Sequence, residues 1–318
     1  MNHETYQKLN NRLVCPCYLR SKLELTNNSQ LICSNQQCPR IDRAFLEVST
    51  QPVIINFSES VFKKENFFTS ADGAVLNRKP TIITQLLGHI VFGKNKKAEV
   101  NSKIFINHLL MINPNPTVLV VGGGTIGSGA DELYHHQSIN LISFDIYCSK
   151  FTDFVADAHS IPILDESIDG VWIQAVLEHV LEPTKVVSEI YRVLQPNGIV
   201  YAETPFMQQV HEKAYDFTRY TESGHRWLFN NFEIIESGVV AGLGTALIWS
   251  IRYFFTAMFR SRKIGALFSY FFFWLRFFDR FMPSSYSSDG ASGVYFMGKK
   301  SSNQLQPDEI IKFYRGVI

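Results

Sequence analysis

The sequence predicts the α/β class, with a mostly parallel sheet, helices on both faces and a small β module ahead of it. Three observations predict this. A run of four apolar residues, Val118–Val121, breaks into three glycines, Gly122, Gly123 and Gly124, as a buried parallel strand entering a tight turn would. Further short apolar strands recur downstream, several closing on a polar or acidic residue. Four of the five cysteines are confined to residues 15–38.

Each element can be justified in order. Cys15-Pro-Cys17 and Cys33-Ser-Asn-Gln-Gln-Cys38 form two pairs flanking residues 18–32, an arrangement that can present four thiolates to one tetrahedral zinc ion. Residues 81–92 and 101–112 read as helices separated by Lys94–Lys97, and Asn113-Pro-Asn-Pro116 stops the second before the first strand. The second helix is expected beside the sheet and the first over the mouth of the site. After Val118–Val121, strands are expected at Leu141–Asp145, Phe154–Asp157, Gly170–Gln174 and Gly198–Glu203. Phe232–Glu236 is the sixth and Gly293–Lys299 the seventh. Between the last two lies an insertion with apolar helices at 243–260 and 264–282, in which Phe268, Phe271–Trp274, Phe277 and Phe278 surround a narrow stripe of Ser269, Arg276 and Arg280.

The stretch from Val118 to about Phe206 resembles a class I S-adenosylmethionine-dependent methyltransferase of the small-molecule type. The carrying residues are Asp157-Ala-His-Ser-Ile-Pro162, Ser167-Ile-Asp169, Val176-Leu-Glu-His179, Glu182-Pro183 and Glu189-Ile-Tyr-Arg-Val-Leu-Gln-Pro-Asn-Gly198. The resemblance implies a Rossmann-like, seven-stranded, mostly parallel sheet with an antiparallel last strand. It also implies transfer of a methyl group from S-adenosylmethionine. Gly122, Gly123 and Gly124 would pass under the methionine and ribose, and Asp145 would accept bonds from the ribose hydroxyls. Asp157 and Ala158 would meet the adenine, and Gln174 would border the sulfonium. The acceptor-only chemistry of a carboxylate suits a pair of hydroxyls. Two positions depart from the family pattern: Val120 stands where an acid is usual, and Ile126 replaces the third glycine, with Gly127 one step later. His179 reads as a structural hydrogen-bonding residue rather than a base.

Residues 1–56 are similar to the zinc-ribbon-like module that often precedes such enzymes, with Cys15, Cys17, Cys33 and Cys38 as a structural Zn²⁺ site. The spacings, one residue in the first pair and four in the second, differ from the usual two. The alternatives are a ribbon without metal, or two surface disulfides. Arg12, Arg20, Lys22, Arg40 and Arg43 would offset the negative charge of a thiolate cage. Residues 57–113 form a helical linker or lid, 114–300 the methyltransferase domain with an insertion at 239–283, and 301–318 a tail.

The acceptor side is expected after the fifth strand, where His211, Asp216 and Arg219 would supply a base, its orienter and an anion clamp. The competing reading pairs Asp216 with Arg219 to hold the loop. A net charge of +1 gives no general drive toward nucleic acid, so the partners expected are a small-molecule, lipid-linked or saccharide-linked acceptor. Residues 237–282 carry six Lys/Arg against one acid, an excess of five. That suits peripheral contact of 243–282 with an anionic membrane surface; the alternatives are a lid or a dimer interface. No secretory signal is visible and the cysteine usage fits a reducing setting, so the expected location is cytoplasmic, at or near the inner face of the membrane. The main alternative function is a non-catalytic methyltransferase-like binding or scaffold protein.

Overall fold

The computed structural model describes residues 3–9, 12–33, 35–39, 43–65, 88 and 91–317. Most of the helix expected at 81–92, and Arg40 of the expected cationic group, lie outside them. Among the described residues the strands are β1 (Leu23–Leu25), β2 (Leu31–Cys33), β3 (Leu46–Val48), β4 (Gln51–Val53), β5 (Thr117–Val121), β6 (Asn140–Asp145), β7 (Phe154–Val155), β8 (Ile168–Gln174), β9 (Leu194–Pro205), β10 (Phe232–Ala241) and β11 (Gly293–Lys300). The helices are α1 (His3–Leu9), α2 (Lys96–Ile112), α3 (Asp131–His135), α4 (Pro183–Val193), α5 (Glu222–Leu228), α6 (Leu243–Met258), α7 (Arg262–Phe271), α8 (Ser284–Ser287) and α9 (Pro307–Lys312).

A nine-stranded sheet runs in the order β10-β11-β9-β8-β5-β6-β7-β4-β3. Strands β5 to β9 pair in parallel, and β11 lies antiparallel between β9 and β10. The seven strands read from the sequence are all present, making a Rossmann-like sheet. The pleat sorts their side chains between two layers. Leu119, Val121, Val171, Ile173, Val200 and Ala202 face the core under α4; Val118, Val120, Trp172, Ile199 and Tyr201 face Phe105 and Leu109 of α2. Gly170 admits α2 closely, since a Cβ there would come within 2.8 Å of Leu109 and Phe105.

Two further strands come from the amino-terminal module. Val53 of β4 pairs in parallel with Val155, and the Ile54 N–H donates to Val155 O at 2.8 Å. The β3–β4 hairpin thereby covers an edge that the two-residue β7 would leave exposed. The rest of the module is equally committed. Leu13 bridges Ile163, Lys8 pairs with Asp153 at 2.6 Å, and Leu9, Leu13, Leu23, Leu31 and Phe45 join the same apolar cluster as Leu119 and Ile173. Arg12 and Arg20 do not surround the cysteines as the sequence suggested. The Arg20 fork grips Glu189 with two bonds of 3.0 Å, and Arg12 reaches Ser167 O at 3.1 Å. Both guanidiniums are used to fasten the module to the sheet.

The insertion also differs from expectation. The segment read as one helix over 264–282 is α7 followed by a 3₁₀ stretch, Phe273–Arg280, so Ser269, Arg276 and Arg280 share no common face. The break follows from Asp279, whose carboxylate accepts from the Gly244 N–H at 2.6 Å and from the Thr245 hydroxyl at 2.8 Å. It supplies the amino-terminal cap that α6 lacks in its own Gly242. No described helix is long and apolar enough to cross a membrane.

Candidate functional site

A cleft of about 400 Å³ opens over the carboxyl ends of β5, β6, β7, β8 and β9. Ligands of open parallel sheets sit at such a rim because the turns there are free to carry polar groups. Among its lining residues are Gly122, Asp145, Asp157, Ala158 and Gln174, five of the seven cofactor positions read from the sequence.

Gly123 and Gly124 do not line the cleft, and the glycine amides are not held open for a ligand. The Gly122 and Gly123 N–H groups both donate to Phe144 O, at 3.0 and 2.9 Å, and the Gly124 N–H donates to Asp145 Oδ2 at 2.8 Å. The glycines are needed for closeness. A Cβ on Gly123 would come 1.9 Å from Ser143 Oγ, one on Gly124 would meet the Tyr147 ring at 2.4 Å, and Gly122 holds a φ of +79°. The turn is thereby laid flat against β6. Asp145, at the end of that strand, also accepts from the Ile146 N–H at 2.7 Å. Its carboxylate is fixed by backbone on both oxygens before any ligand arrives.

Asp157 caps the 3₁₀ turn Ala158–Ser160, accepting from the His159 N–H at 3.0 Å and from His159 Nδ1 at 2.6 Å; the Ser60 hydroxyl donates to its other oxygen. Burial alone would raise this carboxyl, but the bonds from His159 and Ser60 outweigh it and hold it below the usual range. Asp157 is therefore an anionic wall of the cleft.

Glu203, which ends the strand expected at Gly198–Glu203, is not among the site residues expected from the sequence. It lies beside Gln174 in the β8–β9 register, lines the cleft, and is 6% exposed. Gln174 Nε2 and Asn95 Nδ2 each donate to it at 2.9 Å, and the Tyr201 hydroxyl donates to its other oxygen. Burial pushes its carboxyl up to about 7, and the three bonds only partly oppose that rise. Strand pairing across residues 174 and 203, and an asparagine from the start of α2, make this group; neither is visible in local sequence.

The residues read as an acceptor-side trio lie together behind one end of the cleft, outside its lining. Asp216 accepts from the His211 N–H at 2.7 Å and from Arg219 Nη2 at 2.9 Å, while Arg219 Nε donates to Gln208 O at 2.8 Å. Burial of Asp216 opposes ionisation, yet Arg219 and the His211 amide bring its carboxyl down to about 2. This is the loop-holding geometry of the competing reading. His179 lines the cleft together with Tyr215 and Phe217, and its Nδ1 bonds Tyr215 O at 2.7 Å.

In the amino-terminal module, the sulfurs of Cys15, Cys33 and Cys38 lie within 4.8 Å of one another, and Cys15 and Cys38 are 3.7 Å apart. All five cysteines of the chain are free thiols, so the two disulfides weighed from the sequence are not formed. Cys17 stands outside the trio and is partly buried.

Residues 130–202 match the family profile described as a methyltransferase domain. No curated protein sequence matches the chain. Among solved structures, the chain is similar to a phosphoethanolamine N-methyltransferase 2 from Haemonchus contortus in complex with S-adenosylmethionine, with 16% identity and a TM-score of 0.43. That match covers 71% of this chain and 59% of the other. A Haloferax volcanii complex between the Trm112 methyltransferase activator and a methyltransferase matches at 19% identity, over 68% of this chain and 98% of that one, with a TM-score of 0.38. The [4+2]-cyclase SpnF matches at 14% identity, over 64% and 80% of the two chains, with a TM-score of 0.38.

Proposed function

We propose that this chain, which carries a methyltransferase domain on its parallel sheet, binds S-adenosylmethionine in the cleft and transfers its methyl group to an amphipathic or saccharide-linked acceptor. The observation that carries the reading is the pair of acidic side chains, Asp145 and Asp157, fixed by hydrogen bonds at the ends of adjacent strands beside the flattened glycine turn. The fit to the cofactor is chemical. Asp145 suits a vicinal diol, the Asp157–Ala158 turn an amino-purine edge, and the amide of Gln174, braced by Ser128 O at 3.1 Å, the polar methionine end. When bound, S-adenosylmethionine supplies an electrophilic methyl on a positively charged sulfur. What this chain adds is positioning and exclusion of water. Val61, Phe62, Leu181 and Phe217 give the acceptor end of the cleft an apolar lining.

Calorimetry with S-adenosylhomocysteine is the direct test. The expected result is saturable binding to the full chain; absence of binding at millimolar ligand would refute the reading. Asp145→Ala should weaken binding by about 1.5–3 kcal/mol, the worth of charge-assisted hydrogen bonds.

Two subsidiary proposals follow from the ends of the chain. Cys15, Cys33 and Cys38, with Cys17 completing the set by a small loop adjustment, hold a structural zinc ion; three converging sulfurs in a buried position fit a thiolate-loving metal. Stoichiometry well below one zinc per chain in protein purified without chelator would overturn this. The insertion docks on an anionic membrane surface. Phe254, Met258, Phe271 and Phe281 are 63%, 63%, 69% and 80% exposed, and Arg260, Arg262, Lys263 and Arg280 are exposed among them. A chain that stays wholly in the supernatant with anionic liposomes would exclude it.

A further inference from the structure

Two histidines and a glutamate converge behind one end of the cleft, which His179 lines. Glu178 and His179 belong to the 3₁₀ turn Leu177–His179 that leaves β8, whereas His211 comes from the loop after β9. One atom from each, imidazole nitrogen or carboxylate oxygen, lies within 4.8 Å of the other two. Glu178 Oε1 is 3.7 Å from His179 Nε2 and 3.9 Å from His211 Nε2. The two rings stand nearly perpendicular, with centroids 5.0 Å apart.

The far side of each ring decides what this group is built for. His179 Nδ1 is 2.7 Å from Tyr215 O, so the ring donates there and turns its Nε2 toward Glu178. His211 Nδ1 faces Asp216 Oδ2 at 3.3 Å and Gln209 O at 3.4 Å, with the Gln208 amide nitrogen also at 3.4 Å. Asp216 is in turn locked by Arg219 at 2.9 Å. His179 is thus held by a carbonyl and His211 by the Gln208, Gln209 and Asp216 groups around its Nδ1, and both rings aim Nε2 at a shared carboxylate. Metal-ligating histidines are oriented in this way. Bracing of the loop alone would be served by the Phe217 N–H to Glu178 O bond of 2.8 Å and needs no such convergence.

We propose that His179, His211 and Glu178 bind a divalent cation. Ligand atoms about 2.1 Å from one ion lie about 3.4 Å from each other in a tetrahedral set, so the present spacings need contraction by only a few tenths of an ångström at the two short pairs. Two imidazoles and a carboxylate suit borderline ions such as Mn²⁺, Fe²⁺ or Zn²⁺. Three protein ligands leave coordination positions open, and His179 puts them on the cleft. In the methyl-transfer reading, on which this last step rests, the acceptor is a hydroxyl compound. A cation held there would make that hydroxyl more acidic, so that its proton would pass to solvent as its oxygen forms the new C–O bond. The methyl–sulfur pair then returns to sulfur, giving a neutral thioether.

The test is titration of the full chain with Mn²⁺, followed by loss of the free-ion electron paramagnetic resonance signal, alongside calorimetry with S-adenosylhomocysteine. Mn²⁺ is disfavoured by thiolates, so the cysteine cluster does not compete. The expected result is one tight Mn²⁺ per chain, with affinity reduced about 10–100-fold or more in His179→Ala, His211→Gln and Glu178→Gln. Variants are read only where their thermal transition shows that they fold; Glu178→Gln keeps the shape of the buried side chain. Absence of Mn²⁺ binding at millimolar ion, or binding indifferent to all three substitutions, overturns the proposal. The two assays fail separately. Mn²⁺ bound without S-adenosylhomocysteine keeps the cation site and removes methyl transfer; the reverse keeps the cofactor and removes the cation.

Discussion

At the residue scale, Glu203 carries the most direct prediction. Its carboxyl titrates near 7 in the folded chain because of burial, against about 4.3 for an unperturbed glutamate. A raised acid binds its proton more tightly in the folded state than in the unfolded one. Folding is therefore unaffected by this group below about pH 4, and stability is lost progressively as pH rises toward 7. Glu203→Gln should flatten that slope and leave a chain more stable than the parent above pH 7, by an amount on the order of 3–4 kcal/mol. Denaturant unfolding measured at intervals across that window checks the sign. An unchanged slope would mean that the three donors, not burial, dominate. Asp145 and Asp157 were legible because strand ends and spacing place them. Glu203 also ends a predicted strand, but its burial and raised carboxyl come from meeting Gln174, Tyr201 and Asn95, which are distant in sequence from one another.

At the element scale, the insertion shows how a local pattern can mislead. Helical periodicity over 264–282 was sound through Phe271, and failed where Asp279 had a better use. Capping α6 offsets the poorer geometry of a 3₁₀ stretch. Asp279→Ala should cost about 1 kcal/mol as the α6 cap is lost. Gly244 and Gly265 bring these segments together. A Cβ at Gly244 would come 2.2 Å from Leu275 O, and one at Gly265 would meet Thr256 Oγ1 at 1.9 Å and Arg252 O at 2.5 Å. Substitution of either by Ala should cost about 1–3 kcal/mol, because at both positions the added Cβ would overlap a main-chain oxygen. Hydrogen exchange on α6 and α7 would localise either loss. Faster exchange spread instead over the parallel sheet would contradict a contact confined to the insertion.

At the scale of the whole molecule, the amino-terminal module is structurally part of the sheet. It contributes β3 and β4 to one edge, and its apolar residues share a core with the strands that bear the cleft. Arg20 on Glu189, Arg12 on Ser167 O and Lys8 on Asp153 fasten it further. Removing the zinc proposed for the cysteine site should then lower a single melting transition of the entire chain, because the two parts share one core. Differential scanning calorimetry with and without chelator would show this; two separated transitions would contradict a shared core.

Local order in the chain determined the parallel-strand framework, the glycine turn and the acids at 145 and 157, because apolar runs and their polar ends are encoded within a few residues. Tertiary structure alone decided that the amino-terminal hairpin closes the sheet edge, that the glycine amides bind β6, and that Glu203 is buried beside Gln174. It also brought Glu178, His179 and His211 together. Each of these depends on segments distant in sequence meeting at one point, and that meeting is set by how the two faces of the sheet bury their apolar side chains.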